Sequence, residues 1–538
     1  MAKIHGGQLV ARALKAEGVD TIFTLSGGHI IAILDGCLQE GIRIVDVRHE
    51  QAAAHAAEAY ARLTGRLGVA IVTAGPGVTD TITAVANAWF SSTAMLVIGG
   101  RHLLRQELKG GLQEMNHPQL FAGITAWAAT AWQTERLPDY IATASRHAFD
   151  GRGAPVFLDI PMDVQFDVVD EQGFAWPRGY RSNRRAGADR QTLSAIEAAL
   201  AKATRPVIFA SAGASPNRLQ ELAEAMSAPT YVNGRARGSL PYGHALLGNH
   251  ARSHALATAD LVLALGVDWD FRTNYGERVN PEALVVHVDA DATKVGWNRS
   301  VDLGVLADPM EVVAQLLELS LPSADPGWVA EIAAAEKARQ DELDSEAGGP
   351  ASGLVAPQRF AKEVGEFFGR DSIVALDGGD IVSTTARWLQ VSTPGHVLDP
   401  GPFGTLGTGV PFALAAQVVH PDKLVGLVFG DGAFGFNGFE FDTLVRLGLP
   451  VVAVMGNDGV WGNIKTFHTM MYPDRVVAAD LGRRPYHEVV SALGGHGELV
   501  TEAEDLGPAL KRARASGLPA LVNVHIAETM RMSSNYSQ

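Results

Sequence analysis

Short apolar runs rich in β-branched residues alternate with helix-like stretches along the whole chain. That rhythm predicts parallel sheets built from strand–helix units, an α/β fold of three doubly wound parallel-sheet domains. The first block carries "LGVAIVTAG" (67–75), "AMLVIGG" (94–100) and "PVFLDIPMD" (155–163), with helical spacing over 50–64 and 78–91. The second carries "PVIFASAGA" (206–214), "DLVLALGVD" (260–268) and "ALVVHVDAD" (283–291), then a helix near 310–320. The third carries "SIVALDGGD" (372–380), "LVGLVFGDG" (424–432), "PVVAVMGND" (450–458) and "PALVNVHIA" (519–527).

Two polar interruptions divide these blocks: the Arg-rich "RGYRSNRRAGADR" within 170–195, which reads as a solvated linker, and an Ala/Glu-rich stretch at 325–355. The domains expected are 1–175, 190–345, and 355–538 with a C-terminal tail. At 538 residues the chain is long enough for several cores. Its 44 Lys+Arg against 59 Asp+Glu, a net −15, argue against a nucleic-acid surface or an anionic membrane, but allow a local basic pocket. The single cysteine, Cys37, can form no intrachain disulfide, and no apolar run reaches bilayer length; the expectation is a cytoplasmic protein with no membrane segment.

Most of these runs end in Gly, Asp or Asn, so polar groups gather at strand carboxyl ends, where open α/β sheets bind ligands. Asp431 ends one strand and Asn457 another, with 24 residues between Gly432 and Asn457, enough for one helix and one strand. A carboxylate and an amide oxygen make a hard donor pair suited to Mg2+ or Ca2+, completed by phosphates and water, and the Gly459 carbonyl could join them. Glycines at 430, 432, 456, 459 and 462 would let backbone N–H groups approach phosphate oxygens. A lone GDG is most often an ordinary turn; the spacing and strand context are what favour a site.

GDG followed at this distance by Asn resembles the cofactor motif of thiamine-diphosphate enzymes, and the resemblance extends over nearly the whole chain. "IVDVRHEQAAAHAAEAYARLTG" resembles the segment whose glutamate, here Glu50, hydrogen-bonds the aminopyrimidine ring; "VTAGPGVTD", with Thr73 and Pro76, resembles the loop beside it. "GPFGTLGTGVPFALAAQ" places Leu406 at the apolar wedge that bends the cofactor. "DGGDIVS", with Gly378, Asp380 and Ile381, joins Gly432, Ala433, Phe434, Trp461, Gly462 and Asn463 in the diphosphate cradle the resemblance implies. Asp431, Asn457 and Gly459 match the Mg2+ positions. In this family the two halves of the cofactor lie on different subunits, which implies a homodimer at minimum and a homotetramer as the expected form.

The substrate must be read from other residues. "FTLSGGHIIAIL" puts Gly28 and His29 in the loop after the first strand, and "GGLQEMNH" supplies Leu112 and Gln113; both resemble benzaldehyde lyase. There His29 would move a proton at the substrate hydroxyl and Gln113 would hold that oxygen. The fuller text looks closest to actinobacterial-type chains labelled acetolactate synthase, some of which resemble 2-hydroxyacyl-CoA lyases. The reading is therefore a reversible 2-hydroxyacyl-CoA lyase releasing formyl-CoA and an aldehyde or ketone. The alternative is the same cofactor acting on free carbonyl substrates, as in benzaldehyde lyase or acetolactate synthase. Gly28-His29, Asp458 and Trp461 depart from true acetolactate synthase. Asp289 and Arg299 in "HVDADATKVGWNRSVDLGV" lie in a segment resembling the ADP- or FAD-binding region of relatives, and Trp461, Arg531 and Tyr536, the last two in the tail "HIAETMRMSSNYSQ", are further substrate candidates.

Overall fold

The computed structural model describes residues 3–170, 174–182, 185–211, 218–348 and 353–528. Three six-stranded sheets, each parallel throughout, carry the molecule, as the alternating pattern predicts. A short antiparallel ribbon pairs β1 (Lys3–His5) with β8 (Val168–Asp170).

The first sheet contains β2 (Thr21–Leu25), β3 (Arg43–Asp46), β4 (Gly68–Val72), β5 (Met95–Arg101), β6 (Trp127–Thr130) and β7 (Pro155–Pro161), in the order β3-β2-β4-β5-β7-β6. The second contains β9 (Pro206–Ala210), β10 (Thr230–Val232), β11 (Leu247–Gly248), β12 (Leu261–Leu265), β13 (Leu284–Asp289) and β14 (Leu303–Leu306), ordered β11-β10-β9-β12-β13-β14. The third contains β15 (Ile373–Asp377), β16 (Val397–Leu398), β17 (Val425–Gly430), β18 (Val452–Asn457), β19 (His496–Val500) and β20 (Ala520–His525), ordered β16-β15-β17-β18-β20-β19. The first and third sheets therefore share one topology, and the middle sheet has the Rossmann order.

The central strands read as unbroken apolar runs because both of their faces are covered. In Pro206–Ala210, Val207 and Phe209 enter one buried cluster while Ile208 and Ala210 enter another. The 22-residue helix Pro326–Ala347 occupies most of the polar stretch at 325–355, anchored by Trp328 and Ile332 and capped by Asp325, which accepts from the Trp328 N–H. The helix expected over 78–91 is broken into Pro76–Thr79 and Ile82–Phe90.

The chain forms two compact units. One comprises Met1–Asn183, Pro400–Asp422 and Phe436–Leu449; the other comprises Arg184–Asp399, Lys423–Gly435 and Pro450–Gln538. Inside the first unit the Glu50–Thr64 helix packs on Gly409–Val419, an all-apolar segment apart from Gln417, with His55 meeting Phe412 edge-on. Among the described residues no helix is long and apolar enough to cross a membrane.

Candidate active site

In open α/β sheets the crevice for a ligand opens at the carboxyl ends of the strands, where the strand order reverses. In the first sheet that point lies between β2 and β4. The loop after β2 carries Gly28 and His29, and the loop after β4 carries Thr73, Gly75, Pro76 and Gly77. His29 is buried and its Nδ1 lies 3.1 Å from Thr73 Oγ1. Gln165 anchors the His29 backbone, donating from Nε2 to its carbonyl at 2.7 Å. Burial holds the His29 pKa below the ordinary imidazole range; a hydrogen bond with the Leu112 backbone opposes this, and His102 and His117 add to it.

Glu50 opens its helix behind His49, whose side chain accepts from the Gln51 N–H. The carboxyl is buried, and burial, with Asp80 adding to it, raises its pKa. The space opposite is tight: a Cβ on Gly77 would lie 3.3 Å from Glu50 Oε1 and 2.8 Å from Thr73 Cγ2. Gly75 takes φ +58°, and a Cβ there would stand 2.8 Å from the Gln113 Cβ. Gln113 is itself left-handed at φ 59°, while its neighbour Leu112 is exposed. The β4 turn thus touches His29, Glu50 and Gln113 through three of its own residues.

A buried polar chain that sequence reasoning missed stands behind this turn. The Gly75 N–H donates to His117 Nε2 at 3.0 Å, and His117 Nδ1 lies 3.2 Å from Asp159 Oδ2. Arg101 donates to the same Asp159 oxygen at 3.0 Å and forks onto Glu107 at 2.8 and 2.9 Å. The available signal was an aspartate inside the apolar run "PVFLDIP": a charge in a fully buried strand requires partners.

Leu406, half-buried, precedes the Gly409–Val419 helix in the first unit. Its neighbour Gly407, at φ +93°, accepts from Asn437 Nδ2 at 2.7 Å, and the same nitrogen lies 3.5 Å from Gln51 Oε1.

In the third sheet the reversal falls between β15 and β17. Asp431 follows β17 directly and Asn457 closes the adjacent β18; both are buried. The Asn457 amide is turned by its nitrogen, which donates to Asn523 Oδ1 at 3.0 Å and to the Arg484 carbonyl at 3.3 Å. Asn457 Oδ1 and Asp431 Oδ2 have no hydrogen-bond partner in the fold. Asn523, too, is a polar residue inside an apolar strand, and its partner is Asn457.

Burial, reinforced by Asp458, pushes the Asp431 pKa up to about 7, against N–H groups of Gly432 and Gly459 that face the carboxylate. Gly459 gives the site its N–H; its carbonyl accepts from Leu481 and Gly482 at 2.7 and 2.8 Å. Two buried oxygens from hard donors, beside the Asp458 carboxylate that raises the proton affinity of Asp431, form a set that a small dication would satisfy.

The surrounding glycines are closely approached. A Cβ on Gly432 would be 2.3 Å from the Trp461 ring, one on Gly379 would be 2.4 Å from Asn463 Nδ2, and one on Gly462 would be 2.8 Å from Asp380 Oδ2. Gly378, at φ +120°, lies against Gly430. Ile381 packs over Gly456, Ala433 is buried, and the Phe434 ring lies 4.8 Å from that of Tyr486, tilted by 40°. The structure therefore brings together Asp380, Asp431, Asp458, Trp461, Gly462 and Asn463. In the middle sheet Asp289 is buried at the end of β13 and accepts from the Asp291 N–H, and Arg299 donates to the Gly276 carbonyl. Arg531 and Tyr536 lie outside the described residues.

Two strand-order reversals, each with a glycine-lined turn at the carboxyl ends of its strands, mark this as a ligand-binding α/β protein. The chain matches the N-terminal thiamine pyrophosphate binding domain over residues 4–120, the central domain of thiamine pyrophosphate enzymes over 193–316, and their C-terminal binding domain over 377–524. It is 40% identical over 527 residues to a probable acetolactate synthase of Mycobacterium bovis, covering 97% of this chain and 95% of that one. It is 34% identical over 574 residues to human 2-hydroxyacyl-CoA lyase 2, covering 98% and 90%, and 34% identical over 586 residues to the Caenorhabditis elegans protein of that name. The chain belongs to the thiamine-diphosphate enzyme family.

Proposed function

We propose that this thiamine-diphosphate enzyme is a 2-hydroxyacyl-CoA lyase, cleaving its substrate reversibly to formyl-CoA and an aldehyde or ketone. The observation that carries the reading is His29, buried on Thr73 at the β2/β4 switch point. An imidazole whose pKa burial holds down is neutral near pH 7 and ready to take a proton. A 2-hydroxyacyl substrate needs such a base at its hydroxyl, because the carbon–carbon bond breaks as that oxygen becomes a carbonyl; in the reverse direction the imidazolium returns the proton. Gln113, across the same turn, holds the oxygen. Gly28, Leu112 and Trp461 are further candidates for substrate contact, as are Arg531 and Tyr536, which lie outside the described residues.

Thiamine diphosphate, when bound, supplies the carbon nucleophile and accepts the electrons of the broken bond. Its two halves would be held by groups from two copies of this chain. Glu50, whose raised pKa favours the protonated carboxyl, binds the aminopyrimidine beside Thr73 and Pro76, and Leu406 props the cofactor. Asp431 and Asn457, each with a buried oxygen that has no hydrogen-bond partner, would hold Mg2+. Gly378, Asp380, Ile381, Gly432, Ala433, Phe434, Trp461, Gly462 and Asn463 form the diphosphate cradle. The proposal includes an ADP or FAD at the Rossmann-ordered middle sheet near Asp289, a homodimer as minimal unit with a tetramer as its full form, and a cytoplasmic setting.

A second reading has support from the 40% identity to a protein named acetolactate synthase: the same residues acting on free carbonyl compounds. Incubating the holoenzyme with a 2-hydroxyacyl-CoA, benzoin and pyruvate in parallel separates the two. Formyl-CoA release from the first substrate is expected; turnover confined to the free carbonyl compounds would overturn the lyase reading.

A further inference from the structure

The loop that carries Gln113 leaves the end of β5 and spans 103–116, with only the short helical turn Leu104–Gln106 inside it. Two of its residues, Leu108 and Gln113, adopt the left-handed backbone conformation, each at φ 59°. A residue with a side chain keeps that conformation only where its surroundings impose it. Here a chain of polar side chains imposes it, closing on both sides of Gln113.

One end of the chain is Gly75, where a Cβ would touch that of Gln113 and whose N–H is taken by His117. His117 leads to Asp159 Oδ2, and Arg101, buried at the end of β5, donates to the same oxygen at 3.0 Å. The other guanidinium nitrogen of Arg101 donates to both oxygens of Glu107, and Glu107 Oε2 lies 2.9 Å from His102 Nε2. That imidazole nitrogen is 3.9 Å from Glu114 Oε1, and Glu114 accepts from the N–H groups of Leu108 and Gly111. The chain therefore starts on the turn that touches Gln113 and ends on the residue that follows it.

Glu107 joins the two halves. Without its carboxylate Arg101 would still hold Asp159, and Glu114 would still hold its two backbone donors, but the end of β5 would lose its grip on the loop. The remaining anchors are firm: the Leu104 N–H donates to both oxygens of Asp163 at 3.0 and 3.2 Å, and the Trp132 ring lies 5.6 Å from the Arg101 guanidinium carbon. The same strand end sets His29, since a Cβ on Gly100 would stand 2.5 Å from the His29 Cβ. Gly100, Arg101 and His102 are consecutive, so the imidazole and the Gln113 loop take their positions from three adjacent residues.

We propose that Glu107 is a positioning residue for the reaction, setting Gln113 against His29 through Arg101 and His102 without itself touching substrate. The inference rests on the role given to Gln113 above, that of holding the oxygen whose proton His29 takes. An amide and a base that serve one oxygen must keep a fixed separation, and a loop held only at its ends would let it drift. Such drift slows the chemical step more than it weakens binding, because the rest of the substrate is gripped elsewhere. The bidentate Arg101–Glu107 fork is suited to prevent it, since two parallel charge-assisted bonds fix orientation as well as distance.

The test is a double-mutant cycle in the holoenzyme, with steady-state kinetics on whichever of a 2-hydroxyacyl-CoA, benzoin or pyruvate it turns over. Gln113→Ala should lower kcat by about a hundredfold, the loss of one hydrogen-bond donor at a reacting oxygen. Glu107→Ala should lower kcat by about tenfold while KM stays within about twofold. Glu107→Gln, which keeps an acceptor for Arg101, should recover part of that loss. Because both residues act at one point, the double variant should remain near the level of Gln113→Ala instead of falling by about a thousandfold. Lys109→Ala, exposed on the same loop and outside the chain of bonds, should keep the wild-type kcat. Losses that multiply in the double variant, or a kcat for Glu107→Ala equal to that of Lys109→Ala, overturn the proposal alone. Wild-type kcat in Gln113→Ala is a different failure: it removes Gln113 from the reaction, and this inference with it.

Discussion

The first and third sheets have the same strand order and the same switch point, yet the two turns built there differ in what completes them. In the first, side chains answer one another: His29 meets Thr73, and Gly75 leads through His117 to Asp159 and Arg101. In the third, Asn457 is oriented by Asn523 and the Arg484 carbonyl so that its oxygen, with that of Asp431, has no protein partner. One topology thus serves two tasks. A turn held by paired groups can present a base and an amide to substrate; a turn that leaves two buried oxygens without partners is suited to a cation.

That contrast can be broken from either side. Glu50→Gln should have the largest effect, a loss of turnover on the order of 10²–10⁴-fold with the fold intact, since it removes the proton-holding carboxyl that faces the first turn. The same variant has a pH signature. Because the folded pKa of Glu50 is raised, the native protein holds its proton longer than the unfolded chain, so its contribution to stability falls as pH rises above the ordinary carboxylate range. Urea denaturation of the cofactor-free protein at stepped pH should show that slope in wild type and its reduction in Glu50→Gln.

Asp431→Asn should come next. It exchanges a carboxylate oxygen for an amide, and the Mg2+ concentration needed for half-maximal activity should rise on the order of 10²-fold. Unchanged Mg2+ dependence would remove Asp431 from the metal site.

His117→Phe should have the smallest effect. It leaves the Gly75 N–H and Asp159 without a buried partner, a cost of about 1–3 kcal/mol in unfolding experiments. If His117 positions the β4 turn, kcat should fall about tenfold while KM changes little, as expected when reacting groups are slightly misplaced. His117→Gln, able to accept from Gly75, should recover part of that loss. Equal kcat in both variants and wild type would reduce His117 to a packing role.

Much of this was legible in the chain itself. Runs such as "PVIFA" and "LVGLVFG" predict strands covered on both faces, and the polar residues that end them, Asp431 and Asn457 above all, mark where a ligand meets the sheet. The Asn523 and Asp159 partnerships were not legible, because a single polar residue within an apolar run signals that it has a partner without saying which. His117 is 42 positions from Asp159, and Asn457 is 66 from Asn523, distances no local pattern spans.

The sequence by itself determined three α/β sheets, the thiamine-diphosphate motif and the residue types at each strand end, because hydrophobic periodicity and glycine-flanked turns are local properties. Only the tertiary structure decided the strand order, and with it the switch points and the neighbours of β2, β4, β15, β17 and β18.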